Sequence, residues 1–450
     1  MHSIIALPKE INDQSTKSTT QLIKDTATKQ TNSNFLSKIQ STLSSIIPKL
    51  TGLGFFELLS EGFIEQKQTT IDNQNVHQTS TLDEQDSSFE TLDYLGAIII
   101  NSGDNSKIKK AQKTLDDAGY ETIPDVQLTM QKPTSFGQEF RRRKTNLLPE
   151  ESGISVAHNN GITGQGVLVG VLDTGCDADH IQFRRKQIEF RYVPPNYDEK
   201  LRNVRGFDVD GHGTHVCGII AGEKIGVAPD VDLMVASVIE SESYRTSLKR
   251  ITVALNWMLS EIQRVENRNK PIIINMSLGF KPEFISKEDH DYLMIGIQEL
   301  IRRLVEVFDI LVVAAIGNDS SGNMCFPGYI PETLSVGAID FNNNAACFSG
   351  GGTSPIDNET QPNIAGYGVD VFSSLERNSN NRSIYKQLSG TSMASPYVAG
   401  IAALYASSNS ELYGEKLRQH LLKTALPLNE NQDRVGAGLA RYIPDGNEKI

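Results

Sequence analysis

The chain has 450 residues, a length that suits two or three domains with a sizeable buried core, and 38% of them are hydrophobic, as in globular proteins. Its formal net charge of -12 leaves no basic footprint for DNA or RNA, which excludes nucleic acid as a partner, and the acidity favours solubility. The longest apolar runs, LGAIII, ILVVAAIG and VAGIAALYA, fall short of the roughly 20 residues that a membrane-spanning helix needs.

The N-terminal stretch MHSIIALPKEINDQ has no positively charged n-region, and its apolar core is too short for a signal peptide, so a cytoplasmic location is expected. Residues 1–90 read as a polar, partly disordered extension. Tracts such as QSTKSTT and QKQTTIDNQNVHQTSTLDEQDSS cannot bury enough surface to order themselves. One apolar island interrupts them, Phe35 to Ile64, with helical spacing at Phe35, Ile39, Leu43, Ile46 and Ile47 and breaks at Pro48 and Gly52. It suits docking on the rest of the chain, or on a regulatory protein partner through residues 35–64.

Residues 91–140 read as a small α+β unit: strand LGAIIIN, helix NSKIKKAQKTLDDAGY stopped at Gly119, strand ETIPDVQLTMQ. A basic linker at 141–150 follows, with Arg141 to Lys144 exposed. Over 151–445 apolar strands (VLVGVLD, DLMVASVI, IIINMSL, ILVVAAI) alternate with helical segments (THVCGIIAG, LKRITVALNWMLSEIQRV, DHDYLMIGIQELIRRLVEVF, SMASPYVAGIAALYA). Near-continuous apolar strands separated by helices predict an α/β fold with a mostly parallel sheet covered on both faces.

Ligands of such sheets bind beyond the carboxyl ends of the strands. Asp173 stands directly after one predicted strand, and Asn318 just after another. His212 and Ser392 each open a small-residue helix behind Gly211 and Gly390, where glycine permits a sharp turn and a helix start offers free N–H groups. An aspartate, a histidine and a serine are what a neutral-pH alcohol nucleophile requires: Ser392 attacks a carbonyl, His212 moves its proton, Asp173 orients and stabilises the imidazole. The Asn318 amide and the Ser392 N–H would hold the oxyanion.

The order Asp, His, Ser in DTG, HGTH and GTSMASP resembles that of the subtilisin-like serine proteases, and differs from the chymotrypsin and α/β-hydrolase orders. NNGITGQGVLVGVLDTG, GVAPDVDLMVASV, NMSLG and VGAGLARYI extend the resemblance over roughly residues 150–445. It implies a three-layer fold and a serine endopeptidase. Ser277, Leu278 and Gly279 would be the strand that pairs with an extended substrate. Glu240 to Tyr244 would form the second wall. The 91–140 unit is similar to the second half of an inhibitory propeptide, which implies regulation by the N-terminal region and self-cleavage near 141–148. Asp319, Glu240 and Glu242 would put negative charge around the cleft and favour basic substrate residues. Cys325 would lie near the pocket for the residue preceding the scissile bond, or simply pack.

No cofactor is expected. The four cysteines, Cys176, Cys217, Cys325 and Cys347, lack metal-ligand spacing and are expected as free thiols. Where many subtilisins carry a longer calcium-binding loop, only Glu223, Lys224 and Ile225 stand between Gly222 and Gly226, and the carboxylate often used in that site is replaced near Gln182, so this departure from the family pattern implies no metal site. Two alternative functions remain: a partner-activated protease effector, and a catalytically silent peptide-binding module, against which the intact Asp173, His212, Ser392 and Asn318 argue.

Overall fold

The computed structural model describes residues 2–9, 24–58, 87–129, 149–195, 204–240, 244–280 and 286–444, with residues 24–32 described by their backbone alone. Seven parallel strands make the main sheet: β7 (Leu168–Asp173), β8 (Ile188–Tyr192), β9 (Asp232–Ser237), β11 (Ile272–Met276), β12 (Leu311–Ala315), β13 (Leu334–Ile339) and β14 (Ile364–Tyr367). Their spatial order is β14-β13-β12-β11-β7-β9-β8. The apolar runs read as buried on both faces are so. Val169, Val171, Ile273, Val313 and Val336 join one core with α3 (His212–Ala221) and α6 (Thr391–Ser408). Leu168, Leu172, Ile274 and Val312 join another with α4 (Leu248–Ile262) and α5 (Lys287–Glu306). The α/β architecture of three layers is therefore the observed one. Because the strands are parallel, β7, β11 and β12 end at one edge, and Asp173, Ser277 and Asn318 lie there together.

The N-terminal part departs from the expected division at residue 90. The apolar stretch near the N-terminus forms β1 (His2–Pro8), which lies inside a five-stranded sheet between β4 (Ala97–Ser102) and β5 (Tyr120–Pro124). Ile4 pairs with Ile100 on one side and Pro124 on the other. Four apolar residues suffice for a strand that has partners on both sides, and those partners are not visible in the local pattern. β2 (Phe56–Leu58) and β3 (Ser88–Leu92) complete the sheet. The tracts QSTKSTT and, up to residue 86, QKQTTIDNQNVHQTSTLDEQDSS lie outside the described residues, as does the linker up to residue 148.

The apolar island is a helix, α1 (Lys24–Gly52), and it runs through Pro48 rather than breaking there. Its Phe35, Ile39, Leu43, Ile46 and Leu50 are buried in the core that β1, β4 and α4 share. Phe35 meets Phe308, just beyond α5, edge to face with centroids 5.8 Å apart. The face that suited a partner is therefore covered by the chain itself.

Helix α2 (Asn105–Asp117) follows the expected pattern, capped by Asp104 and burying Ile108, Ala111 and Leu115, and the chain leaves it at Gly119 with φ 82°. The predicted strand ETIPDVQLTMQ divides. After Pro124, Asp125 accepts the Lys249 N–H at 2.9 Å, and β6 (Gln127–Thr129) pairs antiparallel with β10 (Arg245–Ser247). Two side chains, Asn256 and Arg303, fasten the units further. Asn256 Oδ1 accepts the N–H groups of Tyr94 (3.0 Å) and Leu95 (3.2 Å). The buried Arg303 guanidinium donates to the carbonyls of Pro8 (2.9 Å) and Leu95 and to Glu299 (2.7 Å). Among the described residues no helix is long and apolar enough to cross a membrane.

Ile46→Ala removes a fully buried side chain from α1 and is expected to cost about 2–5 kcal/mol. Hydrogen exchange should show amide protection lost first in β1, β4 and α1. Unchanged protection there would mean that α1 does not support the sheet.

Candidate active site

The site begins with the last residue of β7. Asp173 is fully buried, and its Oδ1 accepts from the Thr174 N–H at 2.7 Å and from His212 Nδ1 at 2.7 Å. The imidazole opens α3, whose preceding Gly211 takes φ 100°, a turn that a side chain would strain. Asp208 holds this turn. Its Oδ1 accepts the N–H groups of Asp210 (3.0 Å) and Gly211 (2.9 Å), and its Oδ2 accepts those of Thr214 at backbone and hydroxyl, both 2.6 Å. The Thr174 hydroxyl accepts the Gly213 N–H at 2.9 Å, so strand end and helix start are tied on both sides of the Asp–His pair. His212 Nε2 is buried with no hydrogen-bond partner among the described residues.

Burial acts to lower the proton affinity of His212, but Asp173, by its charge and its hydrogen bond, and the charges of Asp210 and Asp208 outweigh it, and the pKa is raised from the ordinary value. The two neighbouring histidines behave oppositely. Burial takes His215 down to about 3 and His180 down to about 4, and each bonds a backbone carbonyl, of Lys386 and Ile384. They are neutral structural groups.

Ser392 lies in the first turn of α6, where N–H groups have no intrahelical acceptor. Asn318, after Gly317 (φ 112°), accepts the Thr391 N–H at 2.8 Å and the Thr391 hydroxyl at 3.0 Å through Oδ1. Its carbonyl end is thus used, and the amide NH2 is the end left to act as a donor. Ser277 is buried. Its hydroxyl receives the Asn275 amide (2.8 Å), contacts Ser395 (2.8 Å) and donates to the Ser392 carbonyl (3.1 Å), bracing α6 against β11. Leu278 is also buried, and Gly279 is half-buried. Ser277 to Gly279 continue beyond β11 without a ladder of their own, and Phe280 then bridges to Phe326.

The acidic groups expected to attract basic residues are placed differently. Glu240 is 3.5 Å from Arg250, itself buried, so its charge is answered within the protein. Asp319 lies beside Cys325, with 3.9 Å between sulfur and Oδ2. Glu242 is outside the described residues. The four cysteines are free thiols. Gln182, at the short Gly222 to Gly226 turn, spends its amide on the Tyr385 hydroxyl (2.9 Å) and the Lys224 N–H (2.8 Å).

Sequence reasoning did not find Thr391, Asp208 or the Ser277–Ser395 brace. Only Asp208 had a local signal, since an aspartate three residues before a helix-opening glycine suits a side-chain-capped turn. The others depend on residues more than 70 positions apart.

The family model described as "Peptidase_S8: Subtilase family" matches residues 164–438. The "Subtilisin-like protease PopC" of Myxococcus xanthus is 43% identical over 369 residues, 79% of this chain and 77% of that protein. The "Intracellular serine protease" of Paenibacillus polymyxa is 32% identical, covering 62% of this chain and 80% of its own. "Subtilisin Savinase" of Lederbergia lenta is 33% identical, with 63% and 91% covered.

In NMR titration the His212 imidazole should have its midpoint above the ordinary histidine value. Asp173→Asn removes the charge but leaves the burial, so the midpoint should fall below that value. His180 and His215 should stay neutral throughout. A His212 midpoint that Asp173→Asn leaves in place would show that Asp173 does not set it.

Proposed function

The chain belongs to the subtilase family and is a subtilisin-like serine endopeptidase, and we propose that Ser392, His212 and Asp173 carry its chemistry. The observation that supports this most directly is the Asp173–His212 pair, with 2.7 Å on the Nδ1 side and a buried, unpartnered Nε2 on the other. Ser392 Oγ attacks the scissile carbonyl carbon, and its proton passes to Nε2. The imidazolium, stabilised by Asp173, then protonates the leaving amine, and a water molecule repeats the sequence to release the acyl group. The developing oxyanion is met by the Asn318 amide and the Ser392 N–H. The substrate strand lies along Ser277, Leu278 and Gly279, with Glu240 and Asp319 at the margins.

Neutral imidazole is the active form. Because its pKa is raised in the folded protein, activity is lost as pH falls through a midpoint above the ordinary histidine value, and is full on the alkaline side. Asn318→Ala should lower kcat about 100- to 1000-fold with little change in KM, as for the oxyanion asparagine of subtilisin; a loss under threefold would remove Asn318 from the site.

The N-terminal unit is the regulator in this reading, in the manner of an inhibitory propeptide. β6 pairs with β10, directly beside the second wall, and so brings the chain to the cleft. Cleavage near 141–148 separates the unit covalently, and the enzyme works in the cytoplasm. A covering of α1 by the chain's own core favours this over a partner-activated effector. Intact mass and N-terminal sequencing of wild type beside Ser392→Ala test nucleophile and processing together. The wild type should yield a new N-terminus near 141–148 and the variant should stay whole. A full-length wild type that is active on peptides would overturn the self-cleavage.

A further inference from the structure

The Tyr244 hydroxyl donates a hydrogen bond to Asp210 Oδ1. Asp210 lies two residues before His212, and Tyr244 stands at the entry to β10 in the second wall, so this bond ties the second wall to the turn that carries the imidazole. Both ends are held in place. Asp208 fixes the Asp210 backbone. Tyr244 is 3% exposed, shares a core with Val238, Ile239 and Leu128, and has φ 49°. A bulky residue adopts that left-handed conformation only where its surroundings impose it.

Cys325 marks the opposite side of the cleft. A Cβ on Gly317 would come within 2.6 Å of its sulfur, and one on Gly279 within 2.9 Å of its Cβ. Cys325 therefore lines the side that holds Asn318 and Gly279. An extended peptide laid along Ser277 to Gly279 turns successive side chains to opposite faces. The residue whose carbonyl meets Asn318 turns toward Cys325. The residue before it turns toward His212 and the Asp210–Tyr244 bridge.

We propose that Tyr244, held by Asp210, is a specificity-determining residue that narrows the subsite for the second residue before the cut bond and selects glycine, alanine or serine there. This rests on the protease reading above. Burial, and then Asp210, raise the Tyr244 pKa, so the hydroxyl stays a donor at all working pH values.

The test uses internally quenched peptides identical except at that residue (Gly, Ala, Leu, Phe or Lys). They are cleaved by full-length wild type, Ser392→Ala, Tyr244→Ala, Tyr244→Phe and Asp210→Asn after Ser392-dependent activity has reached its plateau. For wild type, kcat/KM should favour Ala over Phe by about tenfold or more. Tyr244→Ala should shrink that ratio about tenfold by raising the Phe value. Tyr244→Phe keeps the ring and loses the bond, and Asp210→Asn keeps the ring and weakens the bond by removing the acceptor's charge, so both should fall between. Ratios are internal to each variant, so a general loss of activity cancels. Should Tyr244→Ala fail to fold, an unchanged ratio in both Tyr244→Phe and Asp210→Asn would overturn the proposal, as would a wild type that cuts the Lys and Ala peptides equally. Cutting that needs Ser392 but ignores the varied residue overturns the Tyr244 assignment alone. Peptides left uncut by wild type and Ser392→Ala alike overturn the protease reading beneath it.

Discussion

The contact between the end of β7 and the first turn of α3 is the constraint on which the rest of the site depends. A Cβ on Gly213 would sit 2.0 Å from the Gly175 carbonyl, so the two backbones touch where any other residue would push them apart. That approach brings Asp173 to 2.7 Å from His212 and lets the Thr174 hydroxyl receive the Gly213 N–H. With both groups withdrawn from water, the ion–dipole interaction between them is little screened, and Asp173 can override the burial that disfavours imidazolium. The glycines of DTG and HGTH are thus steric requirements of one junction.

The same logic extends around the cleft. Parallel strands put the ends of β7, β11 and β12 side by side, and each end is then tied to a helix start by a short polar bond: Thr174 to α3, Ser277 and Asn318 to α6. Thr174 and Asn318 accept backbone N–H groups that a helix start has to spare, while Ser277 donates its hydroxyl to the Ser392 carbonyl. The reacting groups sit on rigid elements braced by those bonds. A 29-residue helix and a five-stranded sheet are docked on the neighbouring α4 and α5 through a shared apolar core and the buried Arg303. Both carbonyls to which Arg303 donates belong to the N-terminal unit, so separation would remove two of its acceptors and leave the guanidinium with Glu299.

Periodicity made the elements of 151–445 legible because parallel strands buried on both faces are uniformly apolar, and because helix starts announce themselves with glycine and small residues. It served the N-terminal part less well. β1 is short, lies far in sequence from its partners β4 and β5, and was legible only as an apolar run without a purpose. Pro48 suggested a break, yet α1 continues because the packing of Ile46 and Leu50 on the core outweighs one lost hydrogen bond. The polarity of the surrounding tracts concealed that residues 2–8 belong to the unit.

By itself the sequence determined the class of fold, the family resemblance and the identity of the groups available for chemistry, since these follow from local pattern and from the types and order of residues. Tertiary structure alone decided which partner each group has. It gave Glu240 to Arg250, turned the Asn318 carbonyl toward Thr391, laid Tyr244 across to Asp210 and covered α1 with its own chain. The physical reason is that charge neutralisation, hydrogen-bond direction and burial are properties of pairs, and here the pairs are joined across tens to hundreds of residues by the packing of the sheet.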